Sequence, residues 1–194
     1  MGSGALPAIE KLLRDPSVSA ADKRRALRAA QILGPTADPA AGLVGEQLQY
    51  KESQSEASEA LASMGSAAYS VAVTSVTHAD STVRTLAMRA VGKLAKDQQI
   101  PWQEVAPILD ARISGDPSVG VRREALFAYA GIHAPDDRVR ALLLKALSDT
   151  DASLRESVAE FLTRKCPDVV PEKNEVEALS RLASDSNFHV RRAA

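Results

Sequence analysis

A chain of 194 residues with 45% hydrophobic content is long enough for one ordinary domain or one short repeat array, and it is too apolar for a disordered tail. Aromatics make up only 4% while alanine and leucine dominate, so small and branched aliphatics must fill the interior, which favours an all-α fold. The formal net charge of -1 gives no global field to draw the chain onto nucleic acid or an anionic membrane, and a single cysteine cannot form an internal disulfide.

In chain order, apolar periodicity and punctuation predict alternating first and second helices. First helices are expected over 5–14, 39–50, 66–77, 101–114, 136–148 and 174–184. Asp38-Pro39 and Asp136-Asp137 supply an N-cap or first-turn carboxylate, and Pro101 suits a first helical position. Second helices follow, carrying Arg24-Arg25-Ala26-Leu27-Arg28-Ala29-Ala30, Ala57 to Gly65, and then segments that begin at Val83-Arg84, Val121-Arg122, Leu154-Arg155 and Val190-Arg191. The implied units are 5–34, 38–65, 66–96, 101–133, 136–166 and 171–194, forming a single array over 1–194 whose last pair is cut short. That shortness suggests a segment of a larger protein, either monomeric or weakly dimeric through the truncated end. Met1-Gly2-Ser3-Gly4 lacks the basic and apolar regions of a targeting peptide, no apolar run is long enough to span a membrane, and no N-X-Ser/Thr acceptor occurs, so a cytoplasmic location is expected.

The second half repeats one phrase, an acidic residue followed five and six positions later by an aliphatic residue and an arginine. Asp116 precedes Val121-Arg122, Asp149 precedes Leu154-Arg155, and Asp185 precedes Val190-Arg191. An earlier copy has His78 at the acidic position, Asp80 two residues on, and then Val83-Arg84. The arginines stand 38, 33 and 36 residues apart, which suits two helices and two turns. Apolar residues recur at fixed offsets from each arginine: Val83, Ala87, Ala90 and Val91, then Val121, Ala125, Ala128 and Tyr129, then Leu154, Val158, Phe161 and Leu162. One helix pair cannot bury both of its faces, whereas a stack of them builds a continuous core.

These Asp-X-X-X-X-Val-Arg phrases, with Pro107 inside a first helix, resemble HEAT repeats. The resemblance implies an all-α, right-handed α-solenoid of about six stacked antiparallel helix pairs, with Pro107 bending its helix. It also implies a ladder of hydrogen bonds between neighbouring repeats, built here from Asp80, Arg84, Asp116, Arg122, Asp149, Arg155, Asp185 and Arg191. Ala57, where arginine is expected, and His78, where aspartate is expected, interrupt the ladder. Some HEAT-repeat enzymes hold two irons on His-Glu dipeptides; here His78, His133 and His189 are followed by Ala79, Ala134 and Val190, so no such centre is expected.

Motifs that force catalytic groups together are missing: there is no Walker loop, dinucleotide-binding glycine fingerprint, His-Glu-X-X-His or Gly-X-Ser-X-Gly elbow. The three histidines stand near inter-helix turns, too far apart in the repeat to share a zinc ion, and neither metal nor cofactor is expected. Cys166 reads as a small residue closing a helix end or as a thiol activated by Arg164 and Lys165. Trp102 reads as a staple between turns or as an anchor for a partner. Glu156 and Glu160, four apart, form either an acid/base pair or an ordinary exposed helix face. Asp149-Thr150-Asp151 is a cation-ligand set or a capped turn.

In HEAT-like proteins the second helices line the concave binding face. The resemblance therefore points to one ridge at offsets +1, +5 and +9 from the arginine position: Arg24, Arg28, Ser58, Ala62, Arg89, Lys93, Arg123, Phe127, Glu156, Glu160 and Arg164. Phe127 lies off the apolar stripe, either as an exposed aromatic beside Arg123, the chemistry of an interface hot spot, or packed against the neighbouring repeat. The expected function is a non-catalytic scaffold that holds another protein, with an acidic, extended or helical segment along Arg28, Arg89, Lys93 and Arg123. Two alternatives stay open: a nucleic-acid reader resembling the HEAT-like DNA glycosylases, and an accessory protein resembling the HEAT-like bilin lyases. Neutral net charge and the late acidic residues make nucleic acid an unfavourable partner.

Overall fold

Helices and helical turns account for the whole of the secondary structure in the computed structural model, which describes residues 4–97, 100–132, 137–165 and 173–194. The chain divides into two compact units, Met1–Ile132 and His133–Ala194. The first contains α1 (Ala5–Arg14), α2 (Ala20–Leu33), α3 (Ala41–Glu46), α4 (Gln54–Leu61), α5 (Ser66–Ser75), α6 (Ser81–Asp97), α7 (Trp102–Gly115) and α8 (Val119–Ile132). The second contains α9 (Asp137–Ala146), α10 (Ala152–Glu160, continued as a π-helical turn over Phe161–Lys165), α11 (Lys173–Leu182) and α12 (Phe188–Ala193). No strand occurs among the described residues.

The caps explain where several helices begin. Ser19 accepts the Asp22 amide at 3.1 Å and donates its hydroxyl to the Asp22 carboxylate at 2.7 Å, a reciprocal cap that starts α2. Asp151 caps α10 by accepting from Ser153 N at 2.8 Å, and Asn187 caps α12 by accepting from His189 N at 2.8 Å. At the end of α2 the chain turns through Gly34, whose φ of 56° is the left-handed region that side chains avoid.

The helix expected over 39–50 is broken into a 3-10 turn (Gly34–Ala40), α3 and a second 3-10 turn (Gln47–Gln49). Pro39 cannot donate an amide, and Gly42 and Gly45 hold the short helix weakly. Asp38 does not cap that segment. Its carboxylate reaches a repeat ahead and accepts from the amides of Gly65 (2.9 Å), Ala67 (3.0 Å) and Ala68 (3.0 Å), capping α5 instead. A Cβ on Gly65 would fall 2.7 Å from that carboxylate, so glycine is required there. Pro107 sits inside α7 on its exposed side.

Short turns set consecutive helices antiparallel. In the first unit α2, α4, α6 and α8 pack in succession as one layer, with α1, α3 and α5 packing in succession behind them. In the second unit α10 packs on α12 and α9 on α11. The predicted stripes supply the interior: Val83, Ala87, Ala90 and Val91 are buried on α6, Val121, Ala125 and Tyr129 on α8, and Leu154 and Val158 on α10. Ala128, Phe161 and Leu162, assigned to the same stripes, are only half-buried. Trp102 packs edge-on against Tyr129 with ring centroids 4.5 Å apart, which places it between α7 and α8.

Each repeat arginine clamps its own turn. Nη1 of Arg84 donates to the carbonyls of His78 (3.0 Å) and Ala79 (2.8 Å), and Arg122, Arg155 and Arg191 bond the residues six and five positions back in the same way. In Arg84 and Arg155 the rest of the guanidinium reaches the next repeat. Arg84 forks onto Asp116 with two bonds of 2.9 Å, and Arg155 forks onto Asp185 at 2.8 and 2.9 Å. The aspartates also order their own turns, since Asp116 accepts from Ser118 N, Asp149 from Asp151 N and Asp185 from Asn187 N.

Asp80, expected as a rung, instead opens α6 by accepting from Thr82 N. The local task of the acidic position falls to His78, whose Nδ1 accepts the Asp80 amide at 3.0 Å. At the other interrupted position Ala57 is fully buried, and the adjacent Ser58 hydroxyl donates to the Leu86 carbonyl at 2.9 Å, giving α4 and α6 a neutral link. The other helix layer of the second unit carries an ion pair that the repeat phrase did not announce, Arg140 to the buried Glu175 at 2.7 Å.

Burial pushes the Asp116 carboxyl up, but the bonds from Arg84 and the Ser118 amide outweigh it and hold the group below the usual carboxylate range. Asp185 is lowered mainly by its bond from Arg155. Folded values below the unfolded ones mean that this stability is fully present above pH of about 4 and is lost as pH falls through the depressed values. Acid unfolding followed by circular dichroism should therefore be shallower for Asp116→Asn than for the parent. Arg84→Ala, which removes the forked partner of an Asp116 carboxylate whose side chain is 0% exposed and leaves it only the Ser118 amide and the longer contact to Arg112, should cost about 3–5 kcal/mol in urea denaturation at pH 7. Gly92→Ala should also destabilise, by about 1–3 kcal/mol, although Gly→Ala within a helix ordinarily stabilises, because a Cβ there would lie 2.5 Å from that of Ala128.

Candidate functional site

The layer of second helices brings most of the predicted ridge of the first unit onto solvent-facing positions, where the cations meet carboxylates from the next helix or from their own. Arg28 on α2 reaches Glu56 on α4 at 3.1 Å, and Arg24 lies 4.0 Å from the same carboxylate while donating to the Glu52 carbonyl at 3.3 Å. On α6, Arg89 forks onto Glu124 of α8 with bonds of 3.3 and 3.1 Å, which strengthen the hold of its guanidinium on the proton. Arg123 approaches Glu124 from its own helix at 3.9 Å. Lys93 pairs with Asp97 at 2.7 Å and donates to the Ala62 carbonyl at 3.3 Å. Ser58 and Ala62, predicted on the same ridge, are buried between helices.

Glu56 and Glu124 are the residues that the reading by offsets missed. They lie off the counted ridge, and their only signal is opposite charge about one repeat beyond Arg28 and Arg89. In the second unit Glu156 and Glu160 line a small polar cavity of ≈ 110 Å³ with His189, Arg192 and Ala193, where His189 Nδ1 stands 3.9 Å from Glu156. The side chain of Arg164, and all of Cys166 and His133, lie outside the described residues.

Three of the ridge residues share one groove between α6 and α8, a cavity of ≈ 290 Å³ lined by Arg89, Gly92, Lys93, Lys96, Glu124, Phe127, Ala128 and Gly131. Its two walls differ in chemistry. The α6 wall is a row of cations at helical spacings of four and three, whereas the α8 wall presents Phe127, Ala128 and Gly131 beyond Glu124. Gly92 lets the helices approach closely and forms the floor, while a Cβ on Gly131 would meet nothing within 4 Å, so the groove is open at that end. Phe127 is half-buried.

A larger depression of ≈ 380 Å³ lies between α3 and α5, with Glu46 as the one charged lining residue. Its hydroxyls from Ser70, Thr74 and Ser75 all donate to carbonyls of their own helix, leaving little to recognise a ligand. Among the described residues no cluster of three or more His, Cys, Asp or Glu is placed to hold a metal ion. None of the described helices is long and apolar enough to cross a membrane.

Comparison with known proteins bears on the fold. No protein-family model matches the sequence, and no curated protein matches it. Among solved structures, Escherichia coli YibA is similar with a TM-score of 0.68 at 18% identity, over 96% of this chain and 67% of that one. A designed armadillo repeat protein in complex with the peptide (KR)4 is similar with a TM-score of 0.55 at 20% identity, over 97% of this chain and 95% of that one. Computationally designed armadillo repeat proteins for modular peptide recognition give a TM-score of 0.51 at 19% identity, over 97% and 96%. The fold is that of a HEAT- and armadillo-like helical-repeat solenoid.

Exposed ion pairs contribute about 0–1 kcal/mol, because water screens the charges and long side chains lose freedom in pairing. The double variant Arg89→Gln/Lys93→Gln should therefore unfold in urea within about 1 kcal/mol of the parent, in contrast to the loss expected at the buried Arg84.

Proposed function

We propose that the chain is a non-catalytic scaffold that holds an extended or helical segment of another protein along the face formed by α2, α4, α6 and α8, with acidic residues of that segment against Arg28, Arg89, Lys93 and Arg123. The observation that carries this reading is the row of outward-facing cations, Arg28 and Arg89 braced by carboxylates of the next helix and Lys93 by one of its own, with Phe127 among them. Bracing lowers the conformational cost of binding, since two of the arginines are already held extended before a partner arrives. An aromatic beside arginine is common chemistry at the centre of a protein interface.

The designed armadillo proteins of similar fold include one bound to a basic peptide and others made for modular peptide recognition, so this architecture accommodates peptides on a helical-repeat surface. The chemistry proposed here is the opposite in charge, because the exposed side chains of the α6/α8 groove are chiefly cationic.

The test is a panel of acidic and basic synthetic peptides titrated against the parent chain and an Arg89→Glu/Arg123→Glu variant by fluorescence anisotropy. Acidic peptides should bind the parent and lose about tenfold or more in affinity to the charge-reversed variant. Equal affinity for the two chains would refute the proposed face. Tighter binding of duplex DNA, with the steep salt dependence of several phosphate contacts, would replace the protein partner with nucleic acid.

A further inference from the structure

We infer that the groove between α6 and α8 selects an extended segment in which acidic and apolar residues alternate, a deepening that rests on the scaffold reading above. The basis is the segregation of the two walls. Arg89, Lys93 and Lys96 project from one side, and over seven residues of helix they span about 10 Å of groove length. Phe127, Ala128 and Gly131 form the other side. Arg89 is paired with Glu124 and Lys93 with Asp97, so the positive charge left uncompensated among the lining residues is that of Lys96.

A cavity of ≈ 290 Å³ is too small to swallow a helix and suits individual side chains of a segment lying along it. In an extended backbone, side chains alternate between two sides, and those on one side recur about every 6.6–7 Å. That repeat is close to the rise of about 6 Å between Arg89 and Lys93. Two carboxylates at alternate positions therefore face the α6 wall, while the residue between them turns toward Phe127 and the open space at Gly131. A helical ligand would present its carboxylates and its apolar residues along stripes that wind around its axis, and only one turn could enter.

The cations differ in how they are engaged. Arg89 is held by Glu124 and Lys93 by Asp97, whereas Lys96 has no ion pair among the described residues. Lys96 thus offers the first carboxylate a contact that displaces no existing partner, and Arg89 offers a guanidinium already held in place by its fork to Glu124 across the groove. Glu124 sets the selectivity in the other sense, since an acidic residue directed at the α8 wall would meet a like charge.

The probes are a short peptide alternating glutamate and leucine, its block isomer with the same composition but all glutamates contiguous, and an alternating lysine and leucine peptide. Binding to the parent chain, to Lys93→Gln/Lys96→Gln, to Gly131→Leu and to Arg28→Glu is measured by anisotropy, with circular dichroism to verify that each variant is folded. The alternating acidic peptide should bind at least about tenfold more tightly than its block isomer, and both groove variants should abolish that preference. Gly131→Leu is the sharper probe because it fills the groove without removing a charge. Equal affinity for the two isomers, or an undiminished preference in Gly131→Leu, would overturn the inference. If acidic peptides bind without regard to pattern and lose affinity in Arg28→Glu, the ridge reading stands and the groove reading falls; tightest binding by the basic peptide would defeat both.

Discussion

The forked bond from an arginine to the aspartate of the next repeat, with the same guanidinium holding two carbonyls of its own turn, is the constraint on which the stacking depends. Removing a guanidinium and a carboxylate from water costs several kcal/mol, and burial is tolerated only when the donors and acceptors of both groups find partners. Arg84 meets that condition with its own turn's carbonyls and both oxygens of Asp116. Arg112 adds a further contact to Asp116 at 3.5 Å. Aliphatic packing supplies the driving force, but it slides easily from one register to another. A planar fork bonded at both ends does not, so the rung fixes where one helix pair sits against the next.

That registration turns offsets along the sequence into a surface. Once α6 and α8 lie side by side at a set height, Arg89 faces Glu124 rather than Glu104 or Asp110, and the cations of α6 form one wall above the aromatic and glycine positions of α8. Gly92 matters for the same reason as the rung, because helix axes that approach over a glycine leave a shallow groove with a defined floor. The hydrophobic interior, the buried ion pairs and the outward ridge are consequences of one repeat, seen on different faces of the same helices.

The division of labour between buried and exposed charge is also consistent. Pairs with little solvent exposure, Arg84 with Asp116 and Arg155 with Asp185, tie repeats together and engage four of each guanidinium's five N–H groups. Pairs on the ridge are about half exposed on the cationic side, as with Arg89 at 53% and Arg28 at 65%, so a partner's carboxylate can share or replace the resident one at small cost. Recognition on such a surface comes from pattern more than from net charge, since carboxylates and cations alternate along it.

Local chemistry accounts for what the amino-acid order determined by itself. The spacing from Asp116 to Arg122, from Asp149 to Arg155 and from Asp185 to Arg191 disclosed the helix pairs, because a turn clamped by its own arginine is a short-range structure. The apolar stripes of α6 and α8 were legible because helical periodicity needs only neighbours in sequence. Tertiary structure alone decided matters that require two distant segments to meet. Asp38 caps α5 rather than the helix beside it, Asp80 has no arginine of the preceding repeat to meet and opens α6 instead, and Arg140 finds Glu175, which no repeat phrase marks. The groove belongs to the same class, since Lys96, Gly92 and Gly131 carry no signal in the linear order and acquire a role only when α8 is laid against α6.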